Sequence, residues 1–322
     1  MTLPGLQDKG IGAAGLRAAG ANVPTGPDHS IQGSLLIVLS AAGFGAMAIF
    51  VKAAYAAGAN VVTTLFLRFL IASMVLWLGL AASDRVRLRM TRRALWAGVG
   101  LGTIGYGMQS LSYFTALQHI SASLAALLLY VYPLVVTLFA AVVLRERIDR
   151  RKTLALAAAA AGLLLILGRG SGTAEGTGVK LVLLSAGVFS AYIIMSRLTL
   201  RGVSPFASAA IVMPSACASF GLYGYLTGQL RFDLAPQAYA AILGIAVVST
   251  VLAIVAFFAG LERVGASRAA ILSTLEPVVT VALGAALLGE RLTANQVAGG
   301  VCILGAAILL SGWAWGRSRE GG

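Results

Sequence analysis

The sequence predicts an all-α membrane protein of ten transmembrane helices arranged as two inverted five-helix repeats, and three observations predict it. Of 322 residues, 59% are hydrophobic and only 11% are charged, against the roughly 25% charge of an ordinary soluble domain. Apolar stretches recur along almost the whole length, each near the ~20 residues that a helix needs to cross ~30 Å of hydrocarbon. Sliding the chain on itself by 144 residues lays Ala122-Ser123 on Ala266-Ser267, Pro133 on Pro277, Tyr113-Phe114 on Phe257-Phe258 and Glu146-Arg147 on Glu290-Arg291, which marks an internal duplication.

In chain order, residues 1–32 are rich in Gly, Ala and Pro, carry Asp8 and Asp28, and lack the apolar core of a signal peptide, so they read as a flexible cytoplasmic tail. The first repeat, 33–168, holds apolar spans at 33–52, 60–82, 94–117, 121–144 and 153–168. The polar Gly/Ser/Thr run 169–178 has linker composition. The second repeat, 179–315, holds spans at 179–198, 203–227, 236–261, 265–288 and 294–315, and 316–322 form a second cytoplasmic tail. Five is an odd number of crossings, so the second repeat must enter the membrane from the opposite side.

The basic residues agree with that arrangement. With the amino terminus inside and ten crossings, 18 Lys and Arg fall in inside segments and 5 in outside ones, with Arg68 left within a span. The loops after the second and fourth spans carry five basic residues each, whereas their repeat equivalents carry one each. Trp77, Trp96, Trp313 and Trp315 all fall near the expected inner ends, at headgroup depth. The net charge of +13 therefore reports membrane orientation and implies no nucleic-acid partner.

Enzymatic chemistry finds no footing. His29 and His119 are the only histidines and neither has a metal-ligand spacing. No nucleophile motif occurs, and no Gly-rich run ends in Lys-Ser or Lys-Thr as a phosphate loop would. No cofactor and no metal are predicted. Cys217 and Cys302 lie in different apolar segments and read as small packing residues.

Two charges fall deep inside apolar spans, away from the span ends, where an ionisable group is expensive unless it faces a cavity or a partner. Glu276, about eleven residues into the ninth span, is a candidate sensor of a substrate amine or a proton, or else a hydrogen-bonded packing group. Arg68, eight residues into the second span, could bind a substrate carboxylate, pair with Glu276 or snorkel outward. Pro133, Pro277 and Pro214 fall mid-span, and each removes a backbone donor and leaves a carbonyl one turn earlier free, which makes them hinge or kink candidates. Glu146 and Glu290 end helices, where the macrodipole disfavours them. They are expected to brace a tight turn to the next helix, and Thr293-Ala-Asn-Gln296 there has capping-box form.

The Arg68-Phe-Leu run, together with the segment from Leu275-Glu276-Pro277 to Leu288-Gly-Glu290-Arg291, resembles the drug/metabolite transporter superfamily, in particular its two-domain EamA-type family. The first copy of the second motif departs from the family pattern, with Tyr132 before Pro133 and Arg145 before Glu146. The resemblance implies a secondary transporter in a bacterial inner membrane that exports amino acids, related amphiphilic metabolites or drugs. It also implies that the spans carrying Tyr106, Gln109, Tyr113, Tyr130, Tyr192, Ser273 and Thr274 line a central cavity. Its partners would be a small-molecule substrate and the lipid bilayer, with protons as a candidate coupling ion. A passive channel, a lipid-linked sugar carrier and a non-transporting membrane partner stay open as alternatives, as does the choice between monomer and homodimer.

Overall fold

The computed structural model describes residues 27–81, 91–145, 148–167 and 173–317, with the side chains of 27–29, 173–174, 267 and 311–317 outside the description. Glu146 and Arg147, and the segment around Arg85, lie outside the described residues.

The described chain is helical, with no strand among the described residues. In the first repeat α1 (Pro27–Gly45) and α2 (Met47–Ala56) form one bent rod, followed by α3 (Val61–Ala81). Then α4 (Arg92–Gly100) passes through a π-helical turn, Leu101–Tyr106, into α5 (Gly107–Ala116). A second broken rod is α6 (Ala122–Leu129) plus α7 (Tyr132–Val143), and α8 (Arg150–Leu167) closes the repeat. The second repeat comprises α9 (Thr173–Thr199), α10 (Pro205–Leu226), and α11 (Pro236–Ala246), which runs through the π-helical turn Val247–Leu252 into α12 (Ala253–Ser273), itself broken at Gly265, where φ is 77° and ψ 164°. It ends with α13 (Leu275–Leu288) and α14 (Ala294–Arg317).

Among the described residues, seven helical stretches are long and apolar enough to cross a membrane: 30–56, 61–81, 122–143, 175–199, 205–226, 236–266 and 268–288. The protein is therefore an all-α integral membrane protein. Two boundaries differ from the sequence reading. Helix α1 already begins at Pro27, inside the expected tail, and the expected linker 169–178 is helical from Thr173. Linker composition is a weak helix breaker, and the chain from Thr173 gains a packing partner: Gly178 comes against Ile120 and His119 of the first repeat.

Local chemistry sets the helix starts. Thr91, Ser121 and Ser204 each accept the amide of the third residue on, from Ala94, Leu124 and Ala207, a cap worth about 1 kcal/mol. At the entry to α14, Thr293 and Gln296 exchange reciprocal side-chain bonds at 2.9 and 3.3 Å, the capping box expected from sequence. The turn after α13 passes through Gly289 at φ 65°, and its repeat equivalent after α7 passes through Arg145 at φ 54°. The duplicated turn thus keeps its left-handed residue even where a side chain makes it cost about 1–2 kcal/mol.

The repeats interlock pairwise. Helix α1 lies on α12, α3 on α10, α5 on α9, α6 on α13, and α8 on α14. Association in lipid lacks a hydrophobic driving force and depends on close approach, and glycines supply it at α8 and α14. A Cβ on Gly162 would stand 2.6 Å from the Gly299 carbonyl, and one on Gly299 2.5 Å from the Gly162 carbonyl. We expect Gly299→Val to force these helices apart at a cost of about 1–3 kcal/mol, read as a lowered Tm of the purified protein in detergent.

The contacts define two ends. At the distal end Asn60 and Thr63 bond the 227–231 turn, Lys52 donates to the Ile120 carbonyl, and Glu290 reaches Ala122. At the proximal end Gly33 packs on Arg263 and Val264, and Arg268 donates to Ser30.

Candidate functional site

Between the repeats lies a cavity of about 500 Å³, within the range of small-molecule sites. It reaches the exposed Pro205 near the proximal end, whereas at the distal end the buried Tyr113 and Phe114 stand across it. Its walls are rich in aromatic side chains. Tyr130, Tyr132, Phe189, Tyr192 and Tyr106 form a continuous chain of ring contacts, with centroids 5.1–6.0 Å apart.

Arg68 projects from α3 into this cavity and is 2% exposed. Its Nε donates to Thr250 Oγ1 at 3.1 Å, and Nη2 donates to the Tyr106 hydroxyl at 3.4 Å. The guanidinium carbon lies 4.9 Å from the Phe69 ring centre and 5.2 Å from that of Phe114, a cation–π setting. Glu276 is not among its hydrogen-bond partners, so the direct pair left open by the sequence does not form here. No carboxylate among the described residues pairs with Arg68, which leaves a desolvated cation facing a hollow.

The support of Arg68 comes from both π-helical turns. Tyr106 ends the first and Thr250 sits in the second, and the 144-residue shift pairs these two positions. Such turns widen a helix by one residue and turn side chains inward, a recurrent device at functional sites. Thr250 also donates to the Ile245 carbonyl at 2.8 Å, so its lone pair is aimed at Arg68. Sequence reasoning missed Thr250; its alignment with Tyr106 under the repeat was the available signal. Thr250→Val removes this acceptor while keeping shape, and we expect about 1–2 kcal/mol weaker ligand binding, roughly 5- to 30-fold. Thr250→Ser should restore affinity, as measured by ligand-induced thermal shift.

Glu276 lies in the first turn of α13, immediately after the break at Thr274. Sequence depth put it mid-span; the structure adds that it sits at a helix N-terminus within the span, where the macrodipole favours a carboxylate. It lines the cavity, and among the described residues no side chain hydrogen-bonds its carboxylate, the Thr280 hydroxyl reaching only its backbone carbonyl. Tyr113, Tyr130 and Tyr132 all lie within reach of its charge, and Tyr113 also within reach of Arg68. Under the repeat shift Arg68 falls on Val212 and Glu276 on Tyr132, both cavity-lining and uncharged. Each repeat therefore contributes one charge, and the pseudo-symmetric walls become a dipolar site.

The remaining candidates separate. Gln109, Tyr113, Tyr130, Tyr192 and Ser273 line the cavity with Tyr106, but Thr274 does not: its hydroxyl is spent on the Ile271 carbonyl at 2.6 Å. Gln109 exchanges bonds with Ser185 of α9, joining the repeats. Pro133, Pro277 and Pro214 stay off the cavity wall. Pro133 and Pro277 sit in the first turns of α7 and α13, just after the two breaks, whereas Pro214 lies within an unbroken α10. Pro277 frees the Ser273 carbonyl, which accepts the Tyr130 hydroxyl, and Pro214 frees the Ala210 carbonyl, which accepts Trp77 Nε1. Both liberated carbonyls are thus sockets for an aromatic donor from the other repeat.

Glu290 departs from the sequence expectation. Instead of bracing its own turn it crosses to the first repeat, where its carboxylate accepts the Ala122 and Ser123 amides at 2.7 and 2.9 Å and the Ser123 hydroxyl at 2.6 Å. The N-terminus of α6 offers unpaired amides and positive dipole, which resolves the conflict of an acid at the C-terminal end of α13. Among the described residues no three His, Cys, Asp or Glu side chains cluster as a metal site, and Cys217 and Cys302 are free thiols.

Comparison with known proteins places this geometry. The chain matches the model of the EamA-like transporter family twice, over residues 31–168 and 176–312. It is 31% identical over 282 residues to the uncharacterized transporter YcbK of Bacillus subtilis, covering 84% of this chain and 90% of that protein. It is 28% identical over 278 residues to an uncharacterized transporter of Archaeoglobus fulgidus, covering 86% and 95% respectively. A crystal structure sharing 20% identity superposes with a TM-score of 0.61 over 88% of this chain and 97% of the other, which shows the common fold. A duplicated helical unit enclosing a central cavity, matched copy by copy along the chain, makes this protein a member of the EamA-like transporter family.

Proposed function

We propose that the protein is a secondary transporter that exports small amphiphilic metabolites, amino acids or related compounds and drugs among them, by alternating access around the central cavity. One observation carries this reading: two opposite charges that do not bond each other, Arg68 from the first repeat and Glu276 from the second, both face an aromatic-lined hollow. A ligand with an anionic group at Arg68, a cationic or protonated group toward Glu276 and an apolar body on the tyrosines satisfies all three surfaces. Motion of one repeat against the other then changes both ends of the ligand's environment together. The export direction rests on the family resemblance.

The reading takes ten crossings in two inverted five-helix units. It adds the helical stretches 92–116, 150–167 and 294–317 to the seven long apolar ones. Both termini then lie at the proximal end, on the cytoplasmic side of a bacterial inner membrane. Arg263 and Arg268 at that end support this orientation. Untargeted profiling of medium from overexpressing and deletion cells would nominate the substrate, and counterflow in proteoliposomes tests the mechanism. Saturable flux with counterflow is the expected result; unsaturable flux without counterflow is the signature of a pore and overturns the reading.

A further inference from the structure

The distal closure hangs on few contacts. The last turns of α13 bury only Gly284 between Val281 and Gly289, while Leu287 is 66% exposed and Leu288 38% exposed. Of the apolar side chains in this stretch, the partly buried Leu283 alone among the described residues packs against the main core. What spans the gap is the Glu290 carboxylate, with its three bonds to Ala122 and Ser123. Gly284 makes room for it: a Cβ there would stand 2.6 Å from Ser123 Oγ and 2.7 Å from Glu290 Oε2. Lys52 lies within reach of the Glu290 charge and is itself anchored on the Ile120 carbonyl, one residue before the Ser121 cap of α6. Tyr113, in the cavity's distal wall, feels the charges of both Glu276 and Glu290.

From this we infer that Glu290 is the catch of a distal gate: docked on the N-terminus of α6 it shuts the cavity at that end, and its release lets α13 swing away and opens the cavity there. The inference rests on the alternating-access reading. A polar catch suits the task because its bonds exchange for water once the gap opens, whereas a packed apolar seam would expose its surface to the opened channel. The carboxylate accepts backbone amides, so its receptor is present whatever the rotamers around it.

The test uses the full-length chain with Cys217 and Cys302 replaced by alanine and a reporter Met47→Cys in the cavity wall. Labelling of the reporter by a membrane-impermeant maleimide is followed by mass spectrometry in vesicles of both orientations. Glu290→Ala should raise labelling from the distal side at least ~10-fold. Gly284→Ala, which wedges the carboxylate off its seat without removing a charge, should do the same and serves if the first variant does not fold. Oxidative crosslinking of Ser123→Cys to Glu290→Cys should abolish distal labelling, keep proximal labelling, and be reversed by reductant. Distal labelling that persists through the crosslink, or is unchanged in both release variants, overturns the catch. A parent chain labelled at equal rates from both sides before and after substrate addition is an open pore, which sinks the transporter reading itself.

Discussion

Arg68→Met should leave a folded protein that no longer binds or transports an anionic substrate. The guanidinium gives hydrogen bonds to Thr250 and Tyr106 and no carboxylate partner among the described residues, so its loss strands two neutral acceptors and no buried counter-charge. Removing the cation from a ligand's carboxylate leaves that carboxylate desolvated and unpaired, at a cost of about 2–4 kcal/mol, a roughly 30- to 1,000-fold loss of affinity. Arg68→Lys should recover only part of it, because an ammonium cannot hold the Thr250 bond and present a planar fork to the ligand together. Thermal shift with the best substrate, alongside Tm without it, separates the two effects. If Arg68→Met lowers Tm sharply but leaves the ligand-induced shift intact, Arg68 is a packing group.

Glu276→Gln should uncouple transport from the proton gradient while preserving exchange. The carboxylate is the sole acid among the described cavity-lining residues and shares that lining with Tyr113, Tyr130 and Tyr132, which feel its charge. A glutamine keeps its size and hydrogen-bonding capacity and cannot exchange a proton. Accumulation driven by an imposed pH gradient in proteoliposomes should fall to the level of the gradient-free control, with counterflow retained. Unchanged gradient-driven accumulation would remove Glu276 from coupling. Loss of counterflow as well would assign it to the substrate's cationic group, which also lies within the proposed site.

Both charges could be singled out from the sequence because the bilayer makes a buried ion conspicuous against an apolar background. The same contrast is silent about neutral residues. Thr250 is one hydroxyl among many small residues, and only the widened turn that carries it, set beside the turn of Tyr106, makes it a partner of Arg68. The prolines were legible as sources of free carbonyls, yet the donors that fill two of them, Tyr130 and Trp77, lie 143 and 133 residues away. Glu290 shows the limit most clearly. Its clash with the helix dipole was visible in the chain, but the nearest remedy in sequence, its own turn, is not the one the protein uses.

The amino-acid sequence by itself determined the solvent, the helical class and the duplication, since each follows from local composition and from a fixed spacing along the chain. It also determined that two ions must find company inside an apolar bundle. Which company they keep was decided only when the repeats came together. That step pairs groups more than a hundred residues apart through approaches of a few ångströms at Gly162, Gly284 and Gly299, and no local pattern encodes which backbone will come within reach of which side chain.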